Sequence, residues 1–338
     1  MKILIATQEY GKSYTSLSVS YYKAFKSLTN IQVDLFNYRG FSRIEVLNKI
    51  TRNIGIINNN HLKRENERLV NYVLKSKPDV LFFIKGTYFF PETIKEIKFN
   101  NTDIILTCFD PDDPYNMASS NEFILNSIKY YDIYFIWSHN LVKKIKNDFN
   151  VHSIYLPFAA DRSTIYLTDI QKFNSDITFI GNGDRKRSDF FKSLDDLLNS
   201  KDMNINIYGN YWGSYKNINV FGQKDGDELL NTLSTSKIIL NILREQNINS
   251  NNMRTFEIPA AGGFMLHEYS EEAMDFFRPG IEADYFASPE ECFDKIQYYL
   301  NNDSIRERIS IAGYKKIFEG RHTYTERAKH IIETIEKI

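Results

Sequence analysis

Short, almost wholly apolar runs recur along this chain, each followed by a longer polar stretch with helical periodicity. In the first half they are KILIAT from Lys2, IQVDLF from Ile31, DVLFFIK from Asp79, DIILTCF from Asp103, DIYFIWS from Asp132 and HSIYLPF from His152. A second series holds DITFIG from Asp176, NINIYG from Asn204, NINVFG from Asn217, KIILNIL from Lys237, GGFMLH from Gly262 and EADYFA from Glu282. Continuous β-branched and aromatic runs separated by helix-length segments mark strands buried on both faces, the condition of parallel strands in βαβ units. The expected fold class is therefore α/β, with two Rossmann-like, doubly wound halves. The join falls in YLPFAADRSTIY, residues 155–166, where Pro157 stops a strand and small and polar residues follow. That divides the chain into 1–160 and a second half from 161.

A chain of 338 residues is long enough for two domains that each bury a core. Lysine plus arginine (42) and aspartate plus glutamate (43) nearly cancel, so no strong overall field draws the protein to nucleic acid, and any anion must be gripped locally. Cys108 and Cys292 sit in unrelated segments without metal-ligand spacing. This argues for a reducing compartment, with the cytoplasm as the default. The start MKILIATQEYGK turns polar too soon for a signal-peptide core, and no apolar run approaches the ~20 residues of a membrane span. Peripheral membrane contact through a basic aromatic helix stays open.

Four glycines lie up to residue 157 and eleven after it. Glycine supplies positive φ and close backbone approach, so the ligand-cradling loops are sought in the second half. In open α/β sheets ligands sit at the carboxyl ends of strands. There GNGDRKRSDFF, residues 181–191, offers Gly181, Asn182 and Gly183 and then Arg185, Lys186 and Arg187 before a helix. Helix-start amides and guanidinium groups can bind phosphate, although a solvated basic turn reads the same way. YGNYWG places Tyr208 and Gly209 at the same edge, to stack a base or to close a core corner. Asn241 lies among apolar residues and needs partners, either a neighbouring loop or a ligand.

The stretch SNNMRTFEIPAAGGFMLHEYS, residues 250–270, follows. If Asn252 begins a helix, Arg254 and Glu257 share a face. Arginine suits a pyrophosphate and a carboxylate can accept both hydroxyls of a ribose, while the alternative is an ordinary i,i+3 ion pair. Together the loops carry phosphate donors, an aromatic, an amide and a diol acceptor, the inventory for a nucleoside diphosphate.

The first half carries TQEYGKSYT, KGTYFFP and CFDPDDPYNMA at the equivalent edge. Asp110 and Asp112 form a DxD beside Asp113, but Pro111 and Pro114 stiffen the loop and the nucleotide loops lie in the other half, which argues against a metal. Asp110 reads instead as a cleft-facing general base, with Glu9 as competitor and helix capping as the alternative for both. Lys85 and His139, each ending a strand, are further candidates for contacting substrate.

From DITFIGNGDRKRSDFF to HTYTERA, roughly residues 174–338, the sequence resembles the CgeB-like, spore-maturation-type glycosyltransferases of the GT-B superfamily. The resemblance implies two Rossmann-like domains facing a central cleft, with an acceptor-binding domain at 1–160 and a nucleotide-sugar domain at 161–320. A helix over 321–338 would cross back onto the first domain. It also implies no metal, a UDP, GDP or dTDP sugar as donor, and a glycan, lipid-linked intermediate or protein as acceptor. Glu257 matches the family's ribose-binding acid, and Arg254 and the arginines of 185–187 match positions near the diphosphate. Related enzymes carry a Glu-x7-Glu motif, and here Asn249 stands eight before Glu257. The expected function is sugar transfer, with a nucleotide-sugar epimerase and a non-catalytic nucleotide-sugar-binding protein as alternatives.

Overall fold

The structure, a computed structural model, describes residues 1–8, 17–38, 55–161, 173–198 and 203–338. Contacts divide the chain into two compact units, Met1–Pro157 with Ala328–Ile338, and Phe158–Arg327.

The first unit runs β1 (Lys2–Gln8), α1 (Leu17–Lys26), β2 (Gln32–Tyr38), α2 (Gly55–Ser76), β3 (Val80–Ile84), α3 (Pro91–Asn100), β4 (Ile105–Asp110), α4 (Glu122–Ser127), β5 (Ile133–Ile136), α5 (His139–Phe149) and β6 (His152–Tyr155). All neighbouring strands are parallel, in the order β2-β1-β3-β4-β5-β6. The centre of the sheet explains the sequence pattern. Every residue of β3 (VLFFI) and of β5 (IYFI) is buried, as strands covered on both faces must be.

The second unit runs β7 (Ser175–Ile180), α6 (Arg185–Leu198), β8 (Ile205–Tyr208), β9 (Ile218–Phe221), α7 (Gly226–Ser234), β10 (Ser236–Asn241), α8 (Met253–Ala260), β11 (Met265–Glu268), α9 (Glu271–Phe276), β12 (Asp284–Phe286), α10 (Pro289–Leu300), α11 (Asp303–Glu319) and the start of α12 (Tyr324–Ile335). Its parallel sheet has the order β12-β11-β10-β7-β8-β9. Two parallel sheets whose strands are joined through helices, except for the loop from β8 to β9, are close to what the sequence pattern called for, and in the second the winding reverses between β7 and β10. The core beneath that edge is aromatic. The Phe191 ring lies 5.1 Å from Phe179 and 5.4 Å from Trp212, all edge-on.

Both ends of this unit lie side by side. Ala160 N donates to His322 O at 2.9 Å, Tyr324 N donates to Ala160 O at 3.0 Å, and Arg327 Nη2 donates to Phe158 O at 3.0 Å.

Candidate functional site

The loops after β7 and β8 are zipped together. Gly181 N donates to Tyr208 O (2.9 Å), Gly183 N to Asn210 O (2.8 Å), Asn210 N to Asn182 Oδ1 (3.0 Å) and Trp212 Nε1 to Gly181 O (2.9 Å). Gly209 is required here. Its φ is 155°, and a Cβ would lie well inside contact distance of the Gly181 carbonyl. The Tyr208 ring stacks on Phe221 at 5.1 Å, with Lys224 Nζ 4.5 Å from its centroid, so it closes the corner with β9.

The three cations expected to grip phosphate have separate placements. Arg185 is solvent-facing, its side chain 97% exposed and 3.9 Å from Asp189. Lys186 Nζ reaches Glu268 Oε1 at 2.5 Å and donates to Leu243 O at 3.0 Å. Arg187 was expected beside the diphosphate, but its buried guanidinium bonds backbone carbonyls. Nε and Nη2 donate to Ile242 O at 3.0 and 2.7 Å, and Nη1 donates to Asn182 O at 2.9 Å. It therefore ties the loop after β7 to the loop after β10, across the reversal of winding. Burial lowers its pKa to about 10; the Asp184 carboxylate opposes this, and the Arg244 and Arg254 charges add to it. Glu268, which the strand-end rule could have selected from GGFMLHE, accepts from Leu243 N at 2.8 Å as well as from Lys186.

Asn241 and Asn252 serve each other. Asn241 Nδ2 donates to Asn252 Oδ1 (3.1 Å) and Thr255 Oγ1 (3.2 Å), while Asn252 Nδ2 donates to Asn241 Oδ1 (2.9 Å). Asn252 is also the N-cap of α8, accepting from Thr255 N at 2.9 Å in a capping box. Of the two readings open for Asn241, the structure shows the neighbouring loop. Asn249, at the position of the missing motif glutamate, has φ 58°, and its Oδ1 accepts from Glu271 N at 2.8 Å.

The cap fixes the face of α8 that carries Arg254 and Glu257. These two form an ion pair through Arg254 Nη1 and Glu257 Oε2, with side chains only 23% and 12% exposed. Arg254 Nε also donates to Ile180 O at 3.3 Å, the last residue of β7. The pair thus belongs to the half-buried carboxyl edge of the sheet. Beyond α8, a Cβ on Gly263 would press on Ile239 and on Leu233 O, which is why small residues turn this helix into β11.

In the first unit, Asp110 closes β4 but does not face outward as a base would. It is 1% exposed, with Oδ1 accepting from Asp112 N (3.0 Å) and Oδ2 from Tyr134 Oη (2.8 Å). Burial pushes its pKa up to about 7, opposed by the hydrogen bond from Asp112 N. Asp112 pairs with Lys85 at 2.5 Å, and Asp113 Oδ1 accepts from Tyr115 N at 2.9 Å. Lys85 has φ 64°. The His139 ring stacks on Tyr155 at 3.6 Å. Glu9 lies outside the described residues. Among the described residues no group of three His, Cys, Asp or Glu side chains could hold a metal ion, and no helix is long and apolar enough to cross a membrane.

Residues 185–333 match a family of glycosyl transferase-like domains. No curated protein matches the chain in sequence. Solved structures share its fold over the whole chain at low identity. The E. coli trehalose-6-phosphate protein bound to UDP-2-fluoro glucose is 11% identical with a TM-score of 0.69, covering 100% of this chain and 99% of that one. Anabaena HepE in complex with UDP-glucose is 9% identical with a TM-score of 0.68, covering 100% of both chains. UDP-GlcNAc 2-epimerase of Neisseria meningitidis, bound to UDP-GlcNAc, is 12% identical with a TM-score of 0.56, covering 100% of both. The chain has the GT-B fold of two Rossmann-like domains.

Proposed function

We propose that this chain is a glycosyltransferase that moves a sugar from a nucleoside-diphosphate donor to a hydroxyl of a glycan, a lipid-linked intermediate or a protein. The observation that carries the reading is the Arg254–Glu257 pair, held by a capped helix at the winding reversal of a Rossmann-like sheet. The match of residues 185–333 to glycosyl transferase-like domains supports the same reading. Glu257 would accept the ribose hydroxyls. Arg254, with donors beyond those spent on Glu257 and Ile180 O, would meet the diphosphate. Charge accumulates on that diphosphate as the glycosidic bond breaks, so its neutralisation is the largest electrostatic demand of the step. We assign it to side-chain cations rather than a metal, because the carboxylates of this edge already have protein partners: Glu257 with Arg254, Glu268 with Lys186. The donor is a UDP, GDP or dTDP sugar. Buried free thiols at Cys108 and Cys292 suit a reducing cytoplasm.

An epimerase on this fold is the second reading, favoured by the Neisseria structure. It needs acid and base groups at the sugar carbon. The second unit's histidines suit that poorly. Burial lowers the pKa of His267 to about 4 and that of His322 to about 3; His267 is fully enclosed and His322 packs against Phe256, Phe276 and Phe277. Incubation with a panel of nucleotide sugars, with and without a chelator, separates the readings. Release of nucleoside diphosphate supports transfer, isomerisation without release an epimerase, and binding without turnover a sensor. Glu257→Ala is expected to weaken donor binding by about tenfold or more, as about 1.4 kcal/mol of lost hydrogen bonding requires. Unchanged donor affinity in that variant, or no nucleotide sugar bound by the wild type, would sink the proposal.

A further inference from the structure

Among the cations at the carboxyl edge of the second sheet, one has no assignment yet. Arg244 follows β10 by three residues, on the loop that leaves the sheet at the reversal of winding. The backbone that carries it is held by three side chains. Ile242 O accepts from Arg187 at 2.7 and 3.0 Å, Leu243 O accepts from Lys186 at 3.0 Å, and Leu243 N donates to Glu268 at 2.8 Å. The Arg244 carbonyl in turn accepts from Asn247 N at 2.9 Å. Its guanidinium is treated differently. The residue is half-buried, yet its side chain makes no hydrogen bond or ion pair among the described residues, while its charge lies close enough to Arg187 to disfavour that residue's protonated form. Arg254 acts on Arg187 in the same way, and its Nε donates to Ile180 O while Arg187 Nη1 donates to Asn182 O, so three guanidinium charges lie near one another at this edge of the sheet.

Like charges gathered at a half-buried site cost stability unless something negative completes them. Lys186 has Glu268, Arg187 has two carbonyls with Asp184 near, and Arg254 has Glu257. Arg244 has a rigid mount and no such partner. Preorganised donors at a strand's carboxyl end, with no protein acceptor, are how a fold addresses an anionic ligand. We propose that Arg244 binds the diphosphate of the nucleotide donor directly, and that Lys186, Arg187 and Glu268 are positioning residues that hold its backbone. This rests on the reading of the second unit as a nucleotide-sugar site.

The test is calorimetric titration of wild type, Arg244→Gln and Arg244→Lys with UDP, GDP and dTDP and with the matching nucleosides, at two salt concentrations, alongside thermal melts. The glutamine variant is expected to bind the preferred diphosphate at least about tenfold more weakly, the order of one charge-assisted hydrogen bond. Nucleoside affinity should not move, the salt dependence of diphosphate binding should shrink, and the melting temperature should hold or rise as like-charge repulsion is relieved. The lysine variant should recover part of the loss. Diphosphate affinity equal to wild type in Arg244→Gln overturns the assignment while leaving the functional reading intact. A drop in melting temperature with equal losses for diphosphate and nucleoside also overturns it, because the residue would then be structural. Wild type that binds no nucleoside diphosphate removes the functional reading and this inference with it.

Discussion

Replacing Asp110 with asparagine tests whether burial, rather than catalysis, governs this carboxylate. In the folded chain its pKa is raised from 3.8 to about 7 by burial. Between those values the folded state holds a proton that the unfolded state has released, so stability falls as pH rises through that window. A shift of roughly 3 units at about 1.4 kcal/mol each means that roughly 4 kcal/mol, fully present near pH 4, is lost by pH 8. The asparagine side chain cannot titrate. Its amide oxygen would still accept from Asp112 N, and its amide nitrogen would face the Tyr134 oxygen, so it reproduces the protonated acid. Asp110→Asn should therefore match wild type near pH 4 and exceed it by roughly 4 kcal/mol at pH 8. The two tryptophans make the measurement specific. In a Trp212→Phe background, the fluorescence of buried Trp137 during urea unfolding reports on the first unit. A difference between variant and wild type that stays flat from pH 4 to pH 8 would refute the reasoning. The same variant speaks to mechanism. An enclosed, positioning Asp110 predicts transfer activity within a few-fold of wild type, whereas a general base predicts a loss of about a hundredfold or more.

Other consequences are local to the second unit. Asn252→Ala removes the cap of α8 and leaves the Asn241 amide oxygen without its donor at a position 1% exposed. The expected cost is about 2–4 kcal/mol, read by Trp212 fluorescence in urea. The Asn241→Ala/Asn252→Ala double variant should cost less than the sum of the singles, and strict additivity would show that the two amides do not depend on each other. Gly209→Ala forces a Cβ toward the Gly181 carbonyl at φ 155° and should destabilise by roughly 3 kcal/mol while weakening donor binding. An alanine variant with wild-type melting and donor affinity would mean that the two glycine loops are not rigidly joined.

Each quoted run overlaps one of the twelve described strands, and for the central ones the reason is burial on both faces, which demands a continuous apolar run. The edge strands β2 and β9 are only partly buried and were legible from their β-branched and aromatic residues instead. The spacing of Arg254 and Glu257 was legible for a similar reason, since helical geometry makes residues three apart neighbours. What pattern cannot convey is the partner of a polar side chain. Arg187 looked like a phosphate ligand, yet its acceptor is the carbonyl of Ile242, 55 residues away. Asp110 sits in CFDPDDP, where its place at a strand end reads as a cleft-facing general base. It is enclosed because Tyr134 on the adjacent strand β5 donates to it. Arg244 ends the run KIILNILR but no spacing sets it apart there; only the folded loop shows which cations have partners and which lack one.

The paired backbone bonds between Ala160 and residues His322 and Tyr324 have a genetic meaning. The second unit is an unbroken stretch, Phe158–Arg327, set inside a first unit that resumes at Ala328, and its two ends are only a hydrogen bond apart. A segment whose ends already touch can be cut out or replaced with little strain on either side. The part that would choose the donor is thus carried as a cassette within the gene, exchangeable in two cuts while the rest of the chain keeps its own sheet.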